Sequence, residues 1–244
     1  MPFSSNKLFP SISSIRRRIQ SLTLKKCREL TGGGLQFNNS KMPSYTYGST
    51  AKGCITGSKL QKIKNSVCSS CYALNGNYRF PSVDTGLTNR LKSIQAGNWE
   101  AWTAAQVKQI DHYAEQDEDY PGMRFFRWHD SGDLQSVEHF QALCVIADML
   151  PDVRFWLPTR ELQILKAAEK QGITVPFNLI VRVSQHFIGR KPWKATSLPS
   201  WAQTSTVNWK DSQAHCPAYK QEGKCLTCRS CWDSTIPNTN YPLH

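Results

Sequence analysis

The sequence contains no apolar run of the roughly 20 residues that a bilayer-spanning helix requires, and no apolar signal-peptide core behind Met1. It is also poor in acids, since 18 Asp and Glu stand against 30 Lys and Arg, a formal net charge of +12. These absences predict a soluble, cytoplasmic protein with a basic surface. Such a surface suits nucleic acid, an acidic partner or an anionic cofactor, although the chain shows no aromatic-interleaved RNA motif and no zinc-finger helix.

Seven of the nine cysteines fall into two groups, spaced C-x13-C-x2-C and C-x8-C-x2-C-x2-C. Thiolates crowded at two-residue spacing are ligands for a soft metal or an iron–sulfur cluster. Four thiolates can saturate a cubane cluster, whereas three leave one iron open for a further ligand. The early group is Cys54, Cys68 and Cys71; the late group is Cys216, Cys225, Cys228 and Cys231.

Two other interpretations of the cysteines remain open. A disulfide framework is typical of short secreted chains, and this chain has 244 residues and an odd number of cysteines. Structural zinc also uses C-x2-C pairs, but zinc ribbons normally use two such pairs. The C-x2-C-x2-C run is closer to the bacterial ferredoxin pattern and favours an iron–sulfur cluster in the late group. Cys144 is expected to be a buried apolar residue, and Cys27 a free thiol.

The middle of the chain predicts a parallel sheet. Strand patterns at 124–129, 153–159 and 177–184 alternate with helical patterns at 136–150 and 161–171, a spacing typical of βαβ units. Further helices are expected over 15–30, 85–96 and 99–115. Because the chain is short for eight units, we expect an α/β fold with a partial, open parallel β/α barrel. The predicted divisions are a basic segment over 1–34, the barrel over 35–196 and a cysteine-rich extension over 197–244.

Polar residues follow each predicted strand. Because the carboxyl ends of parallel strands line the ligand crevice of such folds, these residues are candidates for binding and catalysis. Asp133 has a second interpretation, since it could cap the helix that begins nearby. Arg160 is suited to clamping a carboxylate or phosphate. The catalytic candidates are His129, Asp130 and Arg160; the cofactor-binding candidates are Ser131, Gly132, Asp133 and Ser184, together with Tyr72 on the grounds given below.

Several short motifs resemble a known family. The sequence CSSCYA at 68–73, with Cys54 upstream, resembles radical S-adenosylmethionine (SAM) enzymes. These motifs, with Asn39-Ser40-Lys41, the SGD of 131–133 and the terminal CxxCxxCW, are more narrowly similar to the phage gene product eighty-eight domain family. The resemblance covers most of residues 39–244.

The resemblance implies a radical-SAM-like barrel in which the early cysteines hold a [4Fe–4S] cluster and Tyr72 lies beside SAM. It also implies an auxiliary [4Fe–4S] cluster on the late cysteines, and a role in the host cytoplasm. Two features depart from the enzymes: the first gap is thirteen residues rather than three, and no GGE-like segment follows the next strand. We therefore expect two iron–sulfur clusters, with SAM as a further candidate cofactor. The expected reaction is one-electron chemistry, and the expected partner is a small-molecule substrate or an electron donor. The alternative is a non-enzymatic protein whose fold is stabilised by bound metal and which binds nucleic acid or a host partner.

Overall fold

The computed structural model of the protein describes residues 9–36, 42–212 and 214–243. The motif Asn39-Ser40-Lys41 lies outside these residues. Seven α-helices and six strands occur in the described part of the chain. The helices are α1 (Ile12–Ser21), α2 (Leu24–Leu30), α3 (Ile55–Leu60), α4 (Pro81–Gln95), α5 (Trp99–Tyr113), α6 (Val137–Met149) and α7 (Leu162–Lys170). The strands are β1 (Tyr45–Tyr47), β2 (Arg124–Trp128), β3 (Val153–Thr159), β4 (Leu179–Ser184), β5 (Gln203–Val207) and β6 (Asn238–Tyr241).

All six strands are parallel, and their order in the sheet is their order in the chain. A doubly wound sheet would reverse its strand order at a switch point, and this sheet does not. Right-handed crossovers in a sequential sheet place the connecting helices on one face. The predicted α/β class and parallel sheet are confirmed.

The helix-covered face of the sheet holds the main core. Side chains alternate across a strand, so Phe126 and Trp128 of β2 face the helices together with Phe155 and Leu157 of β3. All four are 0% exposed. Truncating one such aromatic side chain to alanine typically costs about 3–5 kcal/mol, so this core anchors the strands whose ends form the candidate site.

The opposite face of the sheet is covered by the end of the chain. Phe125 and Trp156 alternate with the core residues and pack against Cys231 and Trp232. The indole Nε1 of Trp232 donates to the carbonyl of Phe126 at 2.9 Å. The late cysteine segment therefore packs across this face of the sheet and does not simply extend from one end of it.

Two strands, one short helix and one helix break differ from the sequence-based expectations. Strands β5 and β6 lie in the segment where no strand pattern was recognised, and the early cysteine loop contains the short helix α3. The predicted basic helix over 15–30 is two helices. The chain is extended at Leu22, and the Thr23 side chain caps α2 by accepting from the amide of Lys26 at 3.2 Å.

No helix in the described ranges combines the length and apolar character that a membrane span requires.

The ends of β1 and β2 interlock through glycine. Gly132 has φ +76°, and a β-carbon there would lie 2.2 Å from Ser49 Oγ and 2.8 Å from its carbonyl oxygen. The amide of Ser49 donates to the carbonyl of Ser131 at 3.0 Å, and Ser131 Oγ donates back to the Ser49 carbonyl at 2.8 Å. Only glycine fits this approach of two backbones.

Replacing Gly132 with alanine is expected to destabilise the fold more than the same change at Gly172. Gly172 has a nearly equal φ of +73° with nothing within 4 Å of a β-carbon, so Gly172→Ala costs only the backbone strain, about 1–2 kcal/mol. Gly132→Ala has the same backbone strain and also overpacks against Ser49, which lowers the free energy of unfolding by about 1–3 kcal/mol beyond the loss in Gly172→Ala. Urea unfolding of both variants measures the difference, and equal losses would contradict the interlock.

Candidate functional site

Two of the early cysteines, Cys54 and Cys68, meet beside Gly57. A β-carbon at Gly57 would lie 3.6 Å from the Sγ of Cys54 and 3.7 Å from the Sγ of Cys68. The charge of Cys71 contributes to the raised pKa of both other thiols, which places it in the same neighbourhood. The spacing C-x13-C-x2-C therefore brings Cys54 and Cys68 together although the first gap is long, and Cys71 lies within electrostatic reach of both.

This cysteine segment docks onto the carboxyl ends of β3 and β4. The amide of Val67 donates to the carbonyl of His186 at 2.9 Å, just after β4. Glu161, just after β3, accepts from the amide and the hydroxyl of Thr56, both at 2.7 Å. Glu161 thus fixes the start of α3, directly after Cys54. The early thiols lie at the sheet edge where a parallel α/β fold binds ligands.

Asp133 is buried beside the early thiols. It accepts from Thr159 Oγ1 at 2.5 Å, from the amide of Arg160 at 2.9 Å and from the amide of Leu134 at 2.8 Å. Burial raises the pKa of Asp133, and the neighbouring Glu161 carboxylate raises it further. Ser136, not Asp133, caps α6. Asp133 ties the end of β2 to the end of β3.

Arg160 brings a positive charge to the early group. Burial raises the pKa of Cys68, and Arg160 acts against that rise. Its Nε is buried and has no hydrogen-bond partner in the described ranges. Its backbone is engaged, because its amide donates to Asp133 and its carbonyl accepts from the amide of Leu162 at 2.9 Å. The guanidinium therefore remains available to an anionic group that approaches the thiols.

His129 lies on the helix side of this edge. Its φ is +50°, an uncommon conformation outside glycine, and its amide donates to the carbonyl of Tyr47 at 2.9 Å. Its ring packs edge-on against His139 of α6, with ring centroids 5.5 Å apart. Burial, followed by the charge of Arg127, lowers the pKa of His129 to about 3. It is therefore a neutral imidazole at physiological pH.

Asp130 and Tyr72 connect the two sides of the crevice. The Tyr72 hydroxyl donates to the carbonyl of Asp130, while 54% of the tyrosine is exposed. The Asp130 side chain accepts from Tyr78 at 3.4 Å. Burial raises the pKa of Asp130, against which Arg127 and Arg90 act. The tyrosine that follows Cys71 thus joins the early cysteine segment to the end of β2.

The remaining predicted residues support the edge. Ser131 and Gly132 form the interlock with β1 described above. Ser184, at the end of β4, accepts from Ser205 Oγ at 3.1 Å. These contacts hold neighbouring strand ends in register.

The four late cysteines also form one neighbourhood. The amide of Cys216 donates to the carbonyl of Asn240 in β6 at 2.8 Å. Burial raises the pKa of Cys225 to about 11 and that of Cys231 to about 12, and neighbouring thiols in the group contribute to both shifts. Cys231 Sγ lies 3.2 Å from the Tyr241 hydroxyl. Cys228 also contributes to the raised pKa of Cys216.

Arg182 holds the late cysteine loop. It is 0% exposed, and all five of its N–H donors have carbonyl acceptors. They are the carbonyls of Cys231 at 3.1 Å, Thr204 at 3.4 Å, Ile236 at 2.9 Å, Ser230 at 2.8 Å and Asp233 at 2.7 Å. A single side chain from the sheet therefore fixes the backbone on both sides of Cys231.

Arg127 acts electrostatically on residues of both cysteine segments. Its guanidinium is 4.5 Å from the centroid of the Trp156 ring. Its charge acts against the raised pKa of Tyr72, beside the early group, and of Cys225, in the late group. Both groups therefore lie within the electrostatic reach of one cation.

Sequence reasoning did not identify Arg127 and Arg182 as site residues. Each is a charged residue inside an apolar strand pattern, RFFRW or LIVRVS. That signal was available, because a charge in a buried strand requires compensation. The partners of Arg182 could not be identified from the sequence, since four of its five acceptors lie near the end of the chain, in 230–236.

In the part of the chain that the structure describes, no three His, Cys, Asp or Glu side chains are arranged as ligands of a single metal ion. The donor set in each group is nevertheless soft and uniform: three thiols in one and four in the other. Thiolate groups of this kind fit iron–sulfur clusters, whose net negative charge the neighbouring arginines would offset.

Comparison with known proteins identifies a family. The family described as gene product 88 matches residues 23–234. No curated protein and no solved structure matches the chain.

Replacing Arg182 with methionine is expected to cost about 3–5 kcal/mol of unfolding free energy, because it strands buried carbonyl groups that have no other donor. The loss should be concentrated in the late loop, so Cys231 of the metal-free, reduced protein should react faster with a thiol reagent. The matched control is Arg124→Met on β2, whose ion pairs with Asp111 and Asp152 involve exposed carboxylates. That change should cost about 1 kcal/mol. Similar losses, or unchanged Cys231 labelling, would contradict the role of Arg182.

Proposed function

We propose that this chain, which belongs to the gene product 88 family of phage proteins, is an iron–sulfur protein with two [4Fe–4S] clusters. Cys54, Cys68 and Cys71 would hold a cluster with one open iron; the four late cysteines would hold a closed one. The observation that carries the proposal is that the thiols of Cys54 and Cys68 meet near the carboxyl ends of the strands, within electrostatic reach of Cys71 and Arg160. Family membership itself assigns no activity.

The surroundings of the thiols support cluster binding. Burial raises the pKa of thiols in both groups, so in the metal-free protein these thiols are protonated at neutral pH. Binding a cluster would release those protons and would replace buried thiols by thiolates with strong partners. The nearby arginines would stabilise the added negative charge.

We further propose that the early group works in the manner of radical SAM enzymes, on a partial β/α barrel. The sequential strand order supports this architecture, because barrel strands follow one another around the sheet. When bound, a reduced cluster supplies single electrons. The residues of the chain would then bind and orient: Arg160 would hold a carboxylate near the open position, and Asp133 and Glu161 would keep the strand ends fixed.

The predicted catalytic and cofactor-binding residues divide by position. Arg160 and Tyr72 lie beside the early thiols and would contact a ligand there. Asp130 would act through Tyr72 and Tyr78, to which it is hydrogen-bonded. His129 would stay neutral and position the backbone of the crevice. The working compartment we propose is the host cytoplasm, where thiols stay reduced.

Anaerobically purified protein is expected to be brown and to contain about eight iron and eight sulfide per chain. Cys68→Ser and Cys228→Ser should each lose about half of this, because each removes one ligand of a different cluster. Cys144→Ser is the control: Cys144 is buried in α6, outside both groups, and should leave the iron content unchanged. Stoichiometric zinc in place of iron, or unchanged iron in both ligand variants, would overturn the assignment.

Adding SAM to the reduced protein is expected to change the electron paramagnetic resonance signal of the early cluster and to yield 5′-deoxyadenosine. Cys68→Ser should abolish both effects, whereas Cys228→Ser should retain the spectral change because the early group is intact. Arg160→Gln should weaken SAM binding, since the neutral amide cannot pair with a carboxylate. If SAM changes nothing while both clusters are present, the radical mechanism is wrong, and electron transfer or small-molecule redox chemistry is the better proposal.

A further inference from the structure

The positive charge of the protein is concentrated at its beginning. Residues 1–28 contain seven Lys and Arg and no Asp or Glu, so they supply seven of the twelve net charges. Helix α1 lies in this stretch and precedes the family match, which starts at residue 23. The charge of α1 therefore lies outside the residues that match the family, and the family match does not account for it.

Packing divides α1 into an apolar and a basic side. Ile15 is 0% exposed and packs with Leu22 against Ala104 and Ala105 of α5. Ile19, one turn after Ile15, is partly buried in the same cluster. The remaining arc of the helix carries Arg16, Arg17 and Arg18, all exposed. We call these three arginines the basic face.

Among the residues that the structure describes, the basic face has no anionic partner. Over the described ranges, none of its three guanidinium groups makes a hydrogen bond or an ion pair. Other cations nearby are engaged: Lys26 pairs with Glu29 at 2.8 Å, and Arg28 donates to the Tyr113 hydroxyl at 2.5 Å. Three adjacent exposed arginines without compensation repel one another and would be stabilised by an external anion.

The buried side of α1 decides which anion fits. A helix that binds a membrane surface inserts its apolar face between lipids. Here that face is already packed against α5, and Ile12, at 41% exposed, is the large apolar side chain left outside. A polyanion that needs only charge contacts suits the surface better. Guanidinium groups match the paired oxygens of phosphate, and a polyanion offers several phosphates to the three arginines.

We propose that the basic face of α1 binds the phosphate backbone of nucleic acid without sequence preference. The contact fixes the protein on the polymer and leaves the cysteine groups, which lie at the strand ends and across the other face of the sheet, uncovered. This inference does not depend on the iron–sulfur assignment.

The test is fluorescence anisotropy with the full-length protein, a labelled 30-base-pair DNA duplex and a labelled single-stranded RNA of equal length. One variant combines Arg16→Gln, Arg17→Gln and Arg18→Gln, which keeps good helix formers in α1. The control combines Lys166→Gln, Lys170→Gln and Lys194→Gln, three exposed lysines elsewhere, and so removes the same charge. Circular dichroism and thermal unfolding establish that both variants are folded.

For duplex DNA, the slope of log affinity against log salt should fall by about 2.7 in the arginine variant, since each lost phosphate contact removes about 0.9. Its affinity at ~50 mM salt should drop by at least about tenfold. The control should change less than about twofold. Equal weakening of both variants would show a general effect of net charge and overturn the proposal. Binding of the wild-type protein to phosphatidylserine vesicles but to neither nucleic acid would also overturn it.

Discussion

The buried guanidinium of Arg182 is the constraint on which the second half of the fold depends. A charge placed in the middle of a sheet is costly unless each of its donors is satisfied. Here satisfaction comes from five backbone carbonyls, four of them in the segment 230–236. The strand can keep its arginine only if that segment lies across the sheet. The same contact therefore shapes the turn that contains Cys228 and Cys231.

A second, half-buried cation on the same face of the sheet acts on both cysteine groups. Arg127 points to the same face as Trp156 and Cys231 because side chains alternate along the strands. From there its charge interacts electrostatically with Cys231 of the late group, with Tyr241 and with Tyr72 of the early cysteine segment. Positive charge on this face would favour the negative clusters that we propose. It also gives the two cysteine groups a shared electrostatic environment, although they are about 150 residues apart in sequence.

The strand ends show how a binding edge is made rigid before any ligand arrives. Glu161 holds α3, Asp133 joins β2 to β3, and Gly132 brings the end of β2 against Ser49. Their acceptors and contacts are used within the protein, so these residues position the edge. Arg160 differs, because its charge acts on the pKa of Cys68 while its Nε has no hydrogen-bond partner among the described residues. That difference separates supporting residues from the residue best placed to meet a ligand.

The sequence by itself determined the α/β class, the helices between the central strands and the division of the cysteines into groups of three and four. Each of these follows from local periodicity or spacing, which is visible in a few adjacent residues. It did not reveal β5 and β6, because Gln203–Val207 and Asn238–Tyr241 are polar strands whose Thr and Asn side chains bond to each other, and hydrophobic alternation cannot detect such pairing. Only the tertiary structure decided that the cysteine tail crosses the sheet and that Arg182 and Arg127 lie beside it. The physical reason is that a charged residue in an apolar strand is visible in the local sequence, whereas the groups that compensate its charge are distant in sequence and are brought to it only by folding.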